Sequence, residues 1–406
     1  MTSTLDARHL LDPEVIQDPY PFYRQLQREA PVWAVPDTSV FVASSFAMVS
    51  EVSSRVDDFS NNIRCLLYRD DDGLPQQLSL GDFGVQTLAT ADPPDHALHR
   101  GAVFPELVAR RMASLEPDIS EVATACLSRA LDEGSTDFMA TVANIVPITM
   151  ITQLIGFRDS NLDVLLQAAF DSTEMLGATF SLARLGELIN RIGPIEAWIR
   201  EQIDQAAAEP VDDLLGAVVR GIADGVFGVQ EGTLILHTLL SAGGESTTSL
   251  LGSAARLLAE NPQLQERLRS EPDLLPAFVE ESLRLETPFR HQLRSVPRDT
   301  TLGGVAVPAG STVIPFWGAA NRDPEGRDHP DDVDLERRIL KGHLAFGRGI
   351  HHCVGAPLAR LEANVVLRNL LDRTNTITLD ETVPSVWVDS LLVRPQQHLH
   401  LHLEPK

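Results

Sequence analysis

The chain is poor in the residues that mark several whole classes of protein. Three cysteines occur in 406 residues, Cys65, Cys126 and Cys353, and none forms a Cys-x-x-Cys pair. That argues against a disulfide scaffold or a paired-cysteine zinc site and for a reducing compartment. Positive charge is scarce: 33 Lys and Arg stand against 57 Asp and Glu, a formal net charge of −24. Such a field repels phosphate backbones and anionic headgroups, so nucleic acid and acidic membrane surfaces are not expected partners. No apolar run has membrane-spanning character. The most apolar stretch, 139–157, is interrupted by Asn144, Pro147 and Gln153 and reads as a buried helix. Asp6, Arg8, Asp12, Glu14 and Asp18 occupy the place of a signal-peptide core, so a cytoplasmic protein without a membrane anchor is expected. Linkers and fixed-period repeats are also missing. With 43% hydrophobic residues for one large core, the chain is read as a single domain, 1–406.

What is present is mostly helical periodicity. Apolar residues recur at three- and four-residue intervals over 112–132, 161–176, 192–208 and 213–223, and again over 231–260 and 274–285. Strand signals are confined to 32–43, to the C-terminus, and to 301–317, where Gly303-Gly304 and Pro308-Ala309-Gly310 punctuate Val- and Ile-rich runs. Residues 61–91 are polar and glycine-dotted and are expected to form a lid or substrate loop. The predicted class is mainly α (α+β), with small sheets near the N-terminus, in the mid-C-terminal region and at the C-terminus. His398, His400 and His402 alternate with Leu399, Leu401 and Leu403. Such alternation predicts the polar face of a half-buried strand rather than a metal site.

The most informative segment is FGRGIHHCVGAPLAR, residues 346–360. Glycines flank Cys353 on both sides and allow positive φ or close approach of a flat ligand. A helical stripe of Leu358, Leu361 and Val365 follows, which puts the cysteine just before a helix N-terminus, where the thiolate is favoured. Three readings are open from the residues alone: a buried free cysteine, a zinc site with His351 and His352, and an axial haem thiolate. Adjacent residues rarely converge on one tetrahedral ion, which disfavours zinc.

The segment resembles the cysteine-ligand loop of the cytochrome P450 family in its soluble bacterial form. Phe346, Gly349, Cys353, Gly355, Ala359 and Arg360 match that motif, and His352 replaces a frequent aromatic residue. Glu281 and Arg284, at i and i+3 of a helix, resemble the family's Glu-x-x-Arg pair, with Arg337 as the completing arginine; these are structural residues. Ala242-Gly243-Gly244-Glu245-Ser246-Thr247 resembles the signature of the family's long central helix. Mid-helix glycines cost about 1 kcal/mol each relative to alanine, and passage over a planar ligand or a local opening of the helix is the expected offset.

The resemblance implies haem b with Cys353 as the iron ligand. His96, Arg100, Arg294 and His351 match propionate contacts, and Ala242, Gly243, Phe346, Arg348 and Gly355 fall among the other cofactor-binding positions. Glu245 and Ser246 match the acid–alcohol pair that handles protons, with Thr247 beside them; serine replaces the family's threonine. The implied activity is a haem-thiolate monooxygenase acting on a small-to-medium hydrophobic organic substrate. Electrons are expected from a ferredoxin and an NAD(P)H-dependent ferredoxin reductase. Arg337, Arg338, Lys341, Arg348 and Arg360 form an acid-free basic stretch that could steer an acidic ferredoxin. Arg290 and His291, in a segment expected to line the substrate cavity, suggest a polar handle on the substrate. A peroxide-driven oxygenase and a non-turnover haem protein on the same fold are the alternatives.

Overall fold

The computed structural model describes residues 5–81, 84–107, 112–325 and 327–406. Its helices include α1 (Tyr20–Glu29), α2 (Asp95–Val103), α3 (Glu116–Glu133), α4 (Ile145–Ile155), α5 (Leu162–Leu176), α6 (Leu182–Ala208), α7 (Leu214–Ala223), α8 (Val229–Glu260), α9 (Leu275–Leu285) and α10 (Ala356–Arg373). Local chemistry sets several of their starts. Asn161 accepts from the N–H groups of Asp163 and Val164, Ser181 from Arg184, and Asp213 from Gly216. Helix α6 begins ten residues earlier than its periodicity suggests and runs through Gly193 and Pro194. Both residues are exposed, while Leu185, Leu188, Ile192, Ile195 and Ile199 form a buried stripe that outweighs the local breakers. The apolar 139–157 stretch divides into a π-helical turn, Met139–Ala143, and α4.

Helix α8 is the axis of the molecule. Its buried faces pack against α4, α5, α6 and α10, so residues from four directions converge on its middle. Beside this helical body lies a four-stranded sheet. In spatial order it comprises β1 (Val32–Ala34), β2 (Val40–Ala43), β9 (Thr312–Pro315) and β6 (Arg294–Ser295), with β2 and β9 parallel. The hairpin of β7 (Thr300–Leu302) and β8 (Val305–Val307) turns at Gly303 and Gly304, whose φ values of 55° and 80° suit a two-residue turn.

The segment 61–91 is not a plain loop. Cys65–Arg69 (β3) and Pro75–Ser79 (β4) pair antiparallel, and Leu66 packs with Phe180 and Leu185. The missed signal was Asp72-Gly73, with Gly73 at φ 78°, a turn dipeptide between two short strands. Asp82 and Phe83 of that segment lie outside the described residues. At the C-terminus, Leu399, Leu401 and Leu403 are buried, whereas His398 meets Asp137 at 2.7 Å and His402 meets Asp380 at 3.6 Å. The histidines do not share one strand, however: His398 ends Gln396–His398 while His400 and His402 lie on His400–Pro405, and Asp137, His398 and His400 bring possible ligand atoms within 4.8 Å of one another. Among the described residues no helix is long and apolar enough to cross a membrane.

Candidate functional site

Cys353 sits at the entrance to α10, in a loop held by its own backbone. Its N–H donates to the carbonyl of Phe346 at 3.0 Å, which closes the loop on itself. Gly347 and Gly349 take φ values of 65° and 78°, and a Cβ on Gly349 would come within 2.8 Å of the Ser53 carbonyl oxygen. Gly355 has a φ of −84°, open to any residue, and a Cβ there would meet Cys353 Sγ at an ordinary contact distance of 3.8 Å, so the protein atoms alone do not demand glycine. The Arg360 guanidinium covers the Phe346 ring at 4.4 Å and is fixed to Glu280 by bonds of 2.5 and 3.0 Å.

Cys353 is an exposed residue. The surrounding protein pushes its thiol up by desolvation, while the N–H groups of Gly355 and Ala356, with Arg100 and Arg360, pull it down. A positive charge bound at the sulfur, such as a metal ion, favours the thiolate.

Four cationic or potentially cationic side chains gather beside the loop. Arg100 Nη1 donates to the His352 carbonyl at 3.0 Å, and the rings of His96 and His351 lie 4.2 Å apart. Burial, with His96, Arg294 and Arg100 in range, pushes His351 down to about 3. Arg294 is buried and bonds only to the carbonyls of Gln292 and Leu293 among the described contacts. Burial pulls it down to about 10 with Asp92 alone opposing. His351 Nε2 is buried without a partner. Two guanidiniums, Arg100 and Arg294, with Asp92 as the carboxylate in range, stand beside two imidazoles, one of them with an orphaned nitrogen, and together can receive an anion. The carboxylates of haem have that chemistry, and Cys353 beside them offers sulfur to the iron.

In α8, Ala242, Gly243 and Ser246 are half-exposed in the middle of a helix that is otherwise mostly buried there. Ser246 Oγ donates to the Ala242 carbonyl at 2.6 Å; Thr247 is buried on the neighbouring face. Glu245 is buried, and burial pushes its carboxyl up to about 8, with the Thr173 hydrogen bond opposing and Glu174 adding. The acid is therefore neutral near pH 7. Its partner Thr173, on α5, was invisible in the sequence because the contact joins positions 72 apart.

Two expectations need correction. The glycine pair does not open the helix: α8 is continuous through 242–247. A Cβ on Gly243 would lie 2.8 Å from Ile151 Cγ1 and one on Gly244 3.3 Å from Ile148 Cδ1, so close packing of α8 on α4 explains both. Arg290 is not a substrate handle. It is fully buried and bonds the Ser390 carbonyl, with the Ile16 carbonyl at 3.5 Å. His291 is also buried, and burial with Arg290 and Arg294 nearby pushes it down to about 3.

Behind the loop, Glu281, Arg284 and Arg337 join as the sequence suggests, with Glu281 Oε1 2.7 Å from Arg284 Nε and 3.0 Å from Arg337 Nε. A second buried hub, Glu286 with Tyr20, Arg256, Arg322 and Arg394, had no sequence signal.

Residues 199–402 match the family model for cytochrome P450. The chain is also 37% identical over its whole length to cytochrome P450 144 of Mycobacterium tuberculosis, covering 93% of that protein. The chain belongs to the cytochrome P450 family. A further relative of this P450 is the 6-deoxyerythronolide B hydroxylase of Saccharopolyspora erythraea, 34% identical over 82% of this chain and 81% of that one. Among solved structures, a Bacillus megaterium P450 in complex with testosterone superposes with a TM-score of 0.85 at 27% identity, over 96% of this chain and 99% of that one. The cytochrome P450 CREJ, in complex with (4-ethylphenyl) dihydrogen phosphate, reaches 0.89 at 25% identity over 98% and 100%. The fold is thus that of a P450, and the protein is a haem-dependent monooxygenase, an oxidoreductase.

Proposed function

We propose that this P450 uses haem b to insert one atom of dioxygen into a small-to-medium hydrophobic organic substrate, with electrons from a ferredoxin and its NAD(P)H-dependent reductase. The observation that carries the reading is the cluster of Arg100 and Arg294 with His96 and His351 beside Cys353, in which His351 Nε2 is buried without a partner. Cys353 would bind the iron and the cluster the propionates. Ala242, Gly243, Phe346 and Gly355 would bound the macrocycle. Bound there, thiolate-ligated haem supplies the oxygen chemistry.

The remaining work falls to this chain's own groups. Glu245 holds a proton at its carboxyl because burial disfavours the anion. Ser246, its own proton committed to the Ala242 carbonyl, has lone pairs free to accept from Glu245 or from water. Thr247 supports that turn of the helix from its buried face. Substrate is held by apolar walls that exclude water. The relatives named for 6-deoxyerythronolide B and bound to testosterone fit a bulky, largely apolar ligand.

Arg337 and Arg360 are committed to Glu281 and Glu280, leaving Arg338, Lys341 and Arg348 exposed on the cysteine-loop side. Arg348, grouped by its motif with the cofactor contacts, thus belongs with the surface cations. Their sequence neighbours Ile339 (67% exposed) and Ile350 (40%) are exposed as well, and cations with apolar groups beside them suit an acidic electron donor. An acidic, cysteine-poor chain, with no described helix long and apolar enough to cross a membrane, fits a cytoplasmic enzyme.

The test is a reduced-minus-CO difference spectrum of wild type and Cys353→Ser, followed by product assays with ferredoxin, reductase and NAD(P)H against peroxide alone. A thiolate-type Soret shift in wild type, lost in the variant, is expected. Its absence from wild type would overturn the reading, and product with peroxide alone would replace the electron-donor part.

A further inference from the structure

The short strand Ser135–Asp137 runs antiparallel to His400–Pro405, with Asp137 directly across from His400. His398 ends the preceding strand, Gln396–His398, and Leu399 joins the two. That joint is clamped at both of its backbone groups. The Leu399 N–H donates to Asp137 Oδ1 at 3.1 Å, and its carbonyl accepts from the Phe138 N–H at 2.8 Å. With Leu399 buried and so fixed, His398 and His400 flank Asp137, their ring centroids 6.1 Å apart. One possible ligand atom from each of the three residues lies within 4.8 Å of the other two.

The carboxylate is oriented for this meeting. Its Oδ1 accepts from the N–H groups of Met139 and Leu399, each at 3.1 Å, and its Oδ2 meets His398 Nδ1 at 2.7 Å. Backbone bonds thus hold one oxygen and turn the other to the imidazoles, the outer-sphere support that metal-binding carboxylates use. A lone His398–Asp137 pair would account for two of the residues, but not for a half-buried His400 at the same point. Two imidazole nitrogens and one carboxylate oxygen are the donor set of a borderline divalent ion such as zinc, whereas magnesium and calcium take oxygen donors. Zinc bonds of ~2 Å at tetrahedral angles place ligand atoms ~3.3 Å apart, a closure that rotation of the exposed His398 side chain can supply. The other ionisable groups beside the three are His402 and Asp380, which face each other at 3.6 Å.

From this convergence we propose that Asp137, His398 and His400 bind a divalent transition-metal ion of the zinc class, with water completing its coordination. The site shares no residue with the cluster around Cys353, and it does not depend on the monooxygenase reading. Its ligands come from two parts of the chain 261 positions apart, so it exists only in the folded protein. Asp137 stands just before the π-helical turn Met139–Ala143, which packs on α8. A bound ion therefore fastens the C-terminal strands to the helical body, and an ion that binds only the folded chain stabilises it.

The test is calorimetric titration of chelator-treated holoenzyme with zinc chloride, with melting temperature read on the same samples. Wild type is expected to bind zinc saturably and to melt at a higher temperature with it, and magnesium chloride should do neither. His398→Ala, His400→Ala and Asp137→Asn should each weaken zinc binding by at least about ten-fold, while His402→Ala should leave it unchanged. His398 is exposed, so its variant keeps the fold even where Asp137→Asn unsettles the strand ends, and an unaltered haem spectrum confirms it. Absence of saturable zinc binding by wild type, equal binding of magnesium, or undiminished zinc binding in both His398→Ala and His400→Ala would overturn the site.

Discussion

Both oxygens of Glu281 accept from Arg284, Nε at 2.7 Å and Nη2 at 2.8 Å, and neither side chain has any solvent exposure. The same guanidinium reaches the carbonyls of Asn321, Pro330 and Asp332, so it ties α9 to the segment that leads into the cysteine loop. Removing Arg284 leaves a buried carboxylate and three carbonyls short of a donor. Arg284→Ala is expected to cost about 3–5 kcal/mol in urea unfolding, and Arg284→Lys to recover little because it lacks the planar fork. A loss below about 1 kcal/mol would contradict the arrangement.

Acid should unfold the protein through its buried carboxylates. Burial alone would raise Glu286, but Arg394, Arg256 and Arg322 hold it at about 2. Burial likewise opposes, and His343 and Arg360 outweigh it, at Glu280, also about 2. For carboxyls depressed from 4.5, the contribution is present above the unfolded value and is lost as pH falls from there toward about 2. Urea midpoints should fall steeply below about pH 4, and Glu286→Gln should flatten that slope while lowering stability at neutral pH.

Glu245 has the opposite sign. With its folded value raised to about 8, ionisation of the unfolded chain destabilises the native state as pH rises from 4.5, the loss levelling off above about 8. Glu245→Gln should therefore be neutral near pH 4 and stabilising at neutral pH and above, by up to about 3–5 kcal/mol. The same variant should lose turnover. Equal stability effects at both ends of that range would show that the acid is ionised in the folded protein.

Gly243→Ala tests helix packing. The added methyl meets Ile151 Cγ1 at 2.8 Å, an overpacking cost of about 1–3 kcal/mol that the gain of about 1 kcal/mol in helix propensity offsets only in part. Ile151→Val should relieve it, so a double-mutant cycle is expected to give a favourable coupling. Additive effects would argue that Gly243 is needed for something other than α4.

Charge reversal at Arg338 and Lys341 should slow reduction by the donor protein about ten-fold at low ionic strength, with the difference closing in high salt. The CO difference spectrum should not change. Rates indifferent to both salt and charge reversal would remove this surface from the electron path.

Much of the site was legible because its parts are local. The loop from Phe346 to Arg360 declares itself through glycines and a cysteine in register, and His96 with Arg100 through four-residue spacing. Glu281 with Arg284 is read from three. What was not legible depends on long-range contact. Gly243 and Gly244 suggest an opened helix until Ile151 and Ile148 are seen packed against them. Arg290 looks like a substrate contact until it turns to Ser390. Thr173 acquires its meaning only where α5 packs on α8 and meets Glu245.

Periodicity, glycine placement and charge are properties of neighbouring residues, so an acidic, cysteine-poor, mainly helical chain with a P450 cysteine loop can be read from the residues alone. Tertiary structure decided which charges stay paired and which stay free. Arg337 and Arg360 are spent on buried glutamates, Arg294 and His351 are left wanting an anion, and Glu245 keeps its proton. Those outcomes follow from burial, which makes an unpaired charge costly and is set by the whole fold rather than by any one segment.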